Sequence, residues 1–159
     1  MVDKNQAMID YLLTCPDIKN SPLFFNFGKT KQDNNQFVTI ANDEALNTKY
    51  IDGSISKSYR FILLTYKTIS YNAIVKTGNF QDENLSEMAE FQKVIDWVKE
   101  QEELCNYPNF GDNCVIDSIK SLSENPVLQD VDTSVEPTIA TYSVTIQVDY
   151  LDSSNKLWK

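Results

Sequence analysis

The residues best suited to chemistry are carboxylates and thiols. Asp130, Asp132 and Glu136 stand at i, i+2 and i+6, a spacing faintly like a calcium-binding loop. The glycine turn and terminal glutamate of the EF-hand loop are missing, so the expectation is a solvated acidic loop and no metal. The three cysteines, Cys15, Cys105 and Cys114, include no C-x-x-C pair. Three thiolates without a fourth ligand make a poor zinc site. A Cys105–Cys114 disulfide is the most plausible pairing, but nothing demands it, and free thiols in a reducing cytoplasm are the plainer expectation.

The chain contains no histidine at all. Ser-His-Asp triads, Cys-His dyads, His-ligated metals and His-based acyl transfer therefore lose their central group. No G-x-G-x-x-G, Walker-type or G-x-S-x-G motif occurs, and 4 glycines leave little material for a phosphate cradle. Among 23 acidic residues a hydrolytic carboxylate pair survives as a formal alternative. The expectation is a protein that is not an enzyme and takes no cofactor.

Any such residues need a scaffold, and 159 residues and 18.2 kDa supply one domain spanning 1–159. The composition is 42% hydrophobic and 23% charged, that of a chain with a real core rather than a disordered one. Fourteen basic residues against 23 acidic ones give a net charge of −9. Such a chain repels phosphate backbones, which argues against specific nucleic-acid binding. No apolar run is long enough to span a membrane, and the charged start Met-Val-Asp-Lys shows no signal peptide.

Along the chain, residues 3–14 predict a short amphipathic helix with Ala7, Met8, Tyr11 and Leu12 on one stripe, capped by Asp3 and stopped at Pro16. Residues 23–27 and 37–40 read as a hairpin around a polar turn. Asp52-Gly53 marks a second tight turn at the tip of a protruding arm. It leads into a strand over 59–70, whose centre, Phe61-Ile62-Leu63-Leu64, is apolar on both faces and so asks for cover on both. A long helix is expected over 84–105, with Met88, Phe91, Ile95 and Val98 on its apolar face. A strand at 114–120 follows, then a long loop over 121–138 with two prolines. The last strand, 139–151, alternates strictly: Ala140, Tyr142, Val144, Ile146, Val148 and Tyr150 share one face, and polar residues the other. The fold class is α+β, an antiparallel sheet packed by a short N-terminal helix and a long central helix.

Most of the 18 aromatic residues fall on expected core faces. Tyr66, Tyr71, Tyr107 and Phe110 lie near element ends, and Tyr50, Ile51 and Asp52 lie on the arm. These seven are the candidate subunit-interface residues.

Four segments in order, NQAMIDYLLTCPDIKN, YIDGS with YRFILLTYKTISYN, EMAEFQKVIDWVKEQEELCNYPNFG and SLSENPVLQDVDTSVEPTIATYSVTIQVDYLD, resemble the small neck proteins of siphophages and prophages of Gram-positive hosts. These are minor capsid proteins similar to tail terminators. The resemblance spans most of the chain and offers no catalytic motif to map, so no residue role is transferred. It implies a virion structural protein made in the bacterial host cytoplasm and acting in head–tail joining. Such a subunit forms a ring with copies of itself, usually six, ends the tail tube and docks to the head connector. DNA passes through the ring without being specifically bound, as a negative polar strand face suits. The competing expectation is an acidic phage binding module that inhibits or adapts a host protein.

Overall fold

The computed structural model describes residues 2–18, 23–26, 34–40, 47–69, 80–135 and 138–157. The elements in chain order are α1 (Lys4–Leu12), β1 (Leu23–Phe25), β2 (Asn34–Thr39), β3 (Thr48–Lys49), β4 (Ile55–Ile69), α2 (Phe80–Glu103), β5 (Cys114–Ser121), β6 (Val127–Asp132) and β7 (Thr138–Asp152). This is the expected α+β class, a seven-stranded sheet with two helices among the described residues.

The two 15-residue strands β4 and β7 organise the sheet. They pair antiparallel over their whole length, from Ile55 opposite Asp152 to Ile69 opposite Thr138, a span of about 45–50 Å at the usual rise per residue. β2 and β3 line the free side of β4, and β5 and β6 line the free side of β7. The register places Tyr59, Phe61, Leu63 and Thr65 beside Val148, Ile146, Val144 and Tyr142 on one face. All eight are buried, as are Ala140 and Tyr150, so the alternation read in residues 139–151 marks the packed face.

Both helices lie on that face. Met8, Tyr11 and Leu12 of α1 and Phe91, Val94, Ile95 and Val98 of α2 join Phe37, Phe61, Val144 and Ile146 in one core. Asp3 caps α1 as expected, its carboxylate accepting the Asn5 N–H at 2.9 Å. Gln6 does not complete a capping box; its amide donates to Asp10 instead. The long helix starts at Phe80, four residues before the expected start at residue 84.

Its C-terminus closes on Cys105 at φ +51°. Cys105 N–H donates to Glu102 O, and Asn106 N–H to Gln101 O, the paired bonds of a Schellman ending that glycine usually serves. A side chain in this left-handed backbone is strained. Cys105→Gly is therefore expected to raise stability by about 0.5–1 kcal/mol, measured by urea unfolding.

Two sequence expectations are corrected. Residues 23–27 and 37–40 do not form a hairpin: β1 runs parallel to β2, Leu23 opposite Asn35 and Phe25 opposite Phe37. Asn26, at φ +48°, ties its N–H to Phe37 O, and its side chain accepts from Thr39 N–H. Residues 121–138 are not one loop: β6 pairs antiparallel with β7, with a bulge between Leu128 and Asp130.

Candidate functional site

The sheet's second face has no helix over it among the described residues. Its side chains alternate with the buried set: Ser58, Arg60, Ile62, Leu64 and Tyr66 on β4, beside Asp149, Gln147, Thr145, Ser143 and Thr141 on β7. Val38 of β2 stands next to Ile62, and Gln36 next to Leu64. Val38, Ile62 and Leu64 are only half-buried. They form a small contiguous apolar patch on a strand whose opposite face is fully packed. The doubly apolar centre of β4 is thus covered on one side by the chain's own helices and left partly open on the other.

Around that patch runs a polar lattice. The register aligns Arg60, Gln147 and Lys120 in one cross-strand row and Ser58, Asp149 and Ser118 in the next. Arg60 donates to Gln147 Oε1 at 2.6 Å, and Gln147 Nε2 donates to Asp149 Oδ1 at 2.6 Å. Asp149 also accepts from Ser58 at 2.5 Å and from Lys120 at 2.9 Å. Burial alone would raise the Asp149 pKa, but these donors outweigh it and hold the carboxyl below its ordinary range. Much of the face is pre-ordered: Ser58, Ser143, Gln147 and Asp149 already have side-chain partners before anything docks on it. Its apolar members are legible in the sequence; the lattice is not, and its signal is the run of polar residues that the alternation of 139–151 puts on one face.

The seven interface candidates scatter. Tyr50 and Ile51 are exposed at the β3–β4 turn, Ile51 at 94%. Asp52 shapes that turn, accepting from both the N–H and hydroxyl of Ser54. The arm does not protrude freely: Leu157 N–H donates to Asp52 O, and Lys156 pairs with the Asp52 carboxylate at 3.5 Å. Tyr66 lies on the open sheet face, its hydroxyl donating to Gln36 at 2.9 Å. Tyr107 lines an open hollow of about 410 Å³ with Tyr11, Asp3 and Asp10. Burial first, then contact with Cys105 and Glu102, pushes its pKa up to about 12. Phe110 is 3% exposed and packs edge-on against Tyr59 and Tyr150, so it builds the core rather than a surface. Tyr71 lies outside the described residues.

The acidic stretch is equally divided. Asp130 is exposed on β6, Asp132 accepts from the N–H and hydroxyl of Ser134, and Glu136 lies outside the described residues. No group of three or more acidic, cysteine or histidine side chains able to hold a metal occurs among the described residues. All three cysteines are free, Cys15 buried, Cys114 half-buried and Cys105 exposed. No helix among the described residues is long and apolar enough to cross a membrane.

One ion pair at the end of the sheet sets an acid limit. Burial would raise Asp152, but Lys57 at 2.6 Å and the Ser154 donors hold its pKa at about 2. A carboxylate whose folded pKa is depressed stabilises the fold above its unfolded value near 4, and that contribution fades as pH falls toward 2. Its partner Lys57 is 29% exposed, so solvent screens the pair and the contribution is about 1 kcal/mol. Asp152→Asn should cost about that much at neutral pH and almost nothing near pH 2. Urea titrations of both proteins across that range check it. Compared with known proteins, no family model matches this chain and no curated protein matches it.

Proposed function

We propose that this chain is a structural subunit of a phage neck: a tail-terminator-like ring component that ends the tail tube and docks to the head connector. The resemblance of its four segments to siphophage neck proteins supplies the proposal. The observation that carries it furthest is the open sheet face, where Val38, Ile62 and Leu64 sit half-buried beside a hydrogen-bonded polar lattice. Such a face gains from a flat partner, because apolar area is removed from water while Ser143, Gln147 and Asp149 keep the bonds they already have. In this reading the face is covered in the assembled virion by the tail tube. The net charge of −9 lets DNA pass through the ring without adhering.

Co-sedimentation with self-assembled tail-tube protein tests the reading. The chain is expected to pellet with the tubes at a low, saturating ratio that reflects binding at tube ends. Leu64→Lys, which places a charge in the patch without touching the core, is expected to lose at least tenfold in affinity, about 1.4 kcal/mol. A chain that never pellets with tubes, or a Leu64→Lys variant that binds like wild type, contradicts the proposal.

A further inference from the structure

Two surfaces remain that neither the core nor the open face uses, and they lie at diagonally opposite corners of the sheet. β3 flanks the first residues of β4, and β6 flanks the first residues of β7. Because β4 and β7 are antiparallel, the two short strands occupy opposite edges and opposite ends.

The β3 corner is apolar and basic. Tyr50 is 49% exposed, Ile51 94% and Leu157 68%, and with Lys49 and Lys156 they border a cleft of about 630 Å³. A β-branched residue at the tip of a turn has no local conformational reason to be there, and at 94% exposure Ile51 is left uncovered by the described residues. Among the described residues bordering this cleft, Lys156 is paired with the neighbouring Asp52 and Lys49 carries the net positive charge. The β6 corner is apolar and acidic. Val127 is 47% exposed and Leu128 39%, and from Ser121 to Val135 the chain holds Glu124, Asp130 and Asp132 with no basic residue. β6 hydrogen-bonds to β7 alone among the described strands. By contrast, α2 caps part of the β5 edge, its Glu102 carboxylate accepting the Ile119 N–H at 2.7 Å.

We propose that the occupant of the β3 corner is the β6 corner of a second copy of this chain. The argument is complementarity: each corner is an exposed apolar pair or trio, the charges are opposite, and both halves are carried by the same chain facing away from each other. A contact between two different patches of one chain is head-to-tail, the geometry that generates rings or open chains rather than a closed two-fold dimer. It joins neighbouring copies edge to edge and leaves the open sheet face free for the tail tube. The inference rests on the ring reading above and specifies the contact that would build it.

The experiment is a mixing test by sedimentation at up to millimolar protein. Ile51→Asp disables the β3 corner and leaves β6 intact; Leu128→Lys does the reverse. Both positions are solvent-exposed, and circular dichroism checks that both variants fold. Wild type is expected to self-associate, and each variant alone to associate at least tenfold more weakly. Mixed together, the two variants are expected to form a one-to-one heterodimer, because one intact corner of each kind remains. A wild type that stays monomeric, a variant that still self-associates like wild type, or a mixture that stays monomeric overturns the inference. Tube binding by a chain that fails this test leaves the neck reading standing and removes only the proposed contact. Loss of tube binding with the heterodimer intact does the opposite.

Discussion

Phe61→Ala is expected to destabilise the fold by about 3–5 kcal/mol, a third or more of the stability of an ordinary domain. Phe61 is fully buried in the middle of β4. Its ring stacks on Phe37 with centroids 4.5 Å apart and tilts against Tyr59 at 6.2 Å, while Ile146 sits across the strand pair. Truncation removes the aromatic pairing and opens a cavity that two long hydrogen-bonded strands cannot collapse to fill. Urea unfolding followed by tryptophan fluorescence checks it. A loss below 1 kcal/mol would mean that the core lies elsewhere. The comparison with Leu64 is informative: Leu64 lies on the open face of the same strand, so Leu64→Ala should cost far less stability while weakening tube binding.

Gly53→Ala is expected to cost about 2–4 kcal/mol, an unusual penalty for one methyl group at a surface turn. Gly53 has φ +88°, where a side chain is strained, and its added Cβ would collide with the carbonyl of Asn155. That carbonyl is backbone and cannot swing aside. The turn and the segment 153–157 must therefore separate, breaking the Leu157 N–H bond to Asp52 O and the Lys156–Asp52 pair. The substitution should also loosen the β3 corner, since Ile51 and Leu157 border one cleft whose two sides are joined by those contacts. Thermal melts of Gly53→Ala against wild type give the stability cost. Hydrogen exchange of the Leu157 amide shows whether the loss begins there.

The parts legible in the sequence were those in which burial writes a period. Residues 139–151 alternate because one side of β7 is sealed by both helices, and the stripe of Phe91, Ile95 and Val98 follows the helical repeat for the same reason. What stayed illegible was set by partners distant in sequence. β6 was hidden because an edge strand needs no alternating core face and carries charge to discourage stray pairing. Its Leu128 and Asp130 even straddle a bulge. The parallel pairing of β1 follows from Leu23 and Phe25 lining up with Asn35 and Phe37, a register no local turn signal encodes. Asp52-Gly53 announced a turn, but its docking on Asn155 and Leu157 is a contact across 100 residues of chain. Phe110 stands in a loop beside Gly111, yet it fills the gap between Tyr59 and Tyr150; sequence position alone cannot separate such a plug from a surface aromatic.

The double apolarity of Phe61 to Leu64 was the most informative local signal. Half of it is answered by the helices and half is left on the open face. Hydroxyl-radical footprinting of the chain alone and bound to tail tubes tests that division directly. Ile62, Leu64 and Tyr66 are expected to label in the free chain and to be protected on tubes, while the buried Phe61 and Leu63 stay unlabelled in both. Unchanged labelling of β4 in a chain demonstrably bound to tubes would contradict the account.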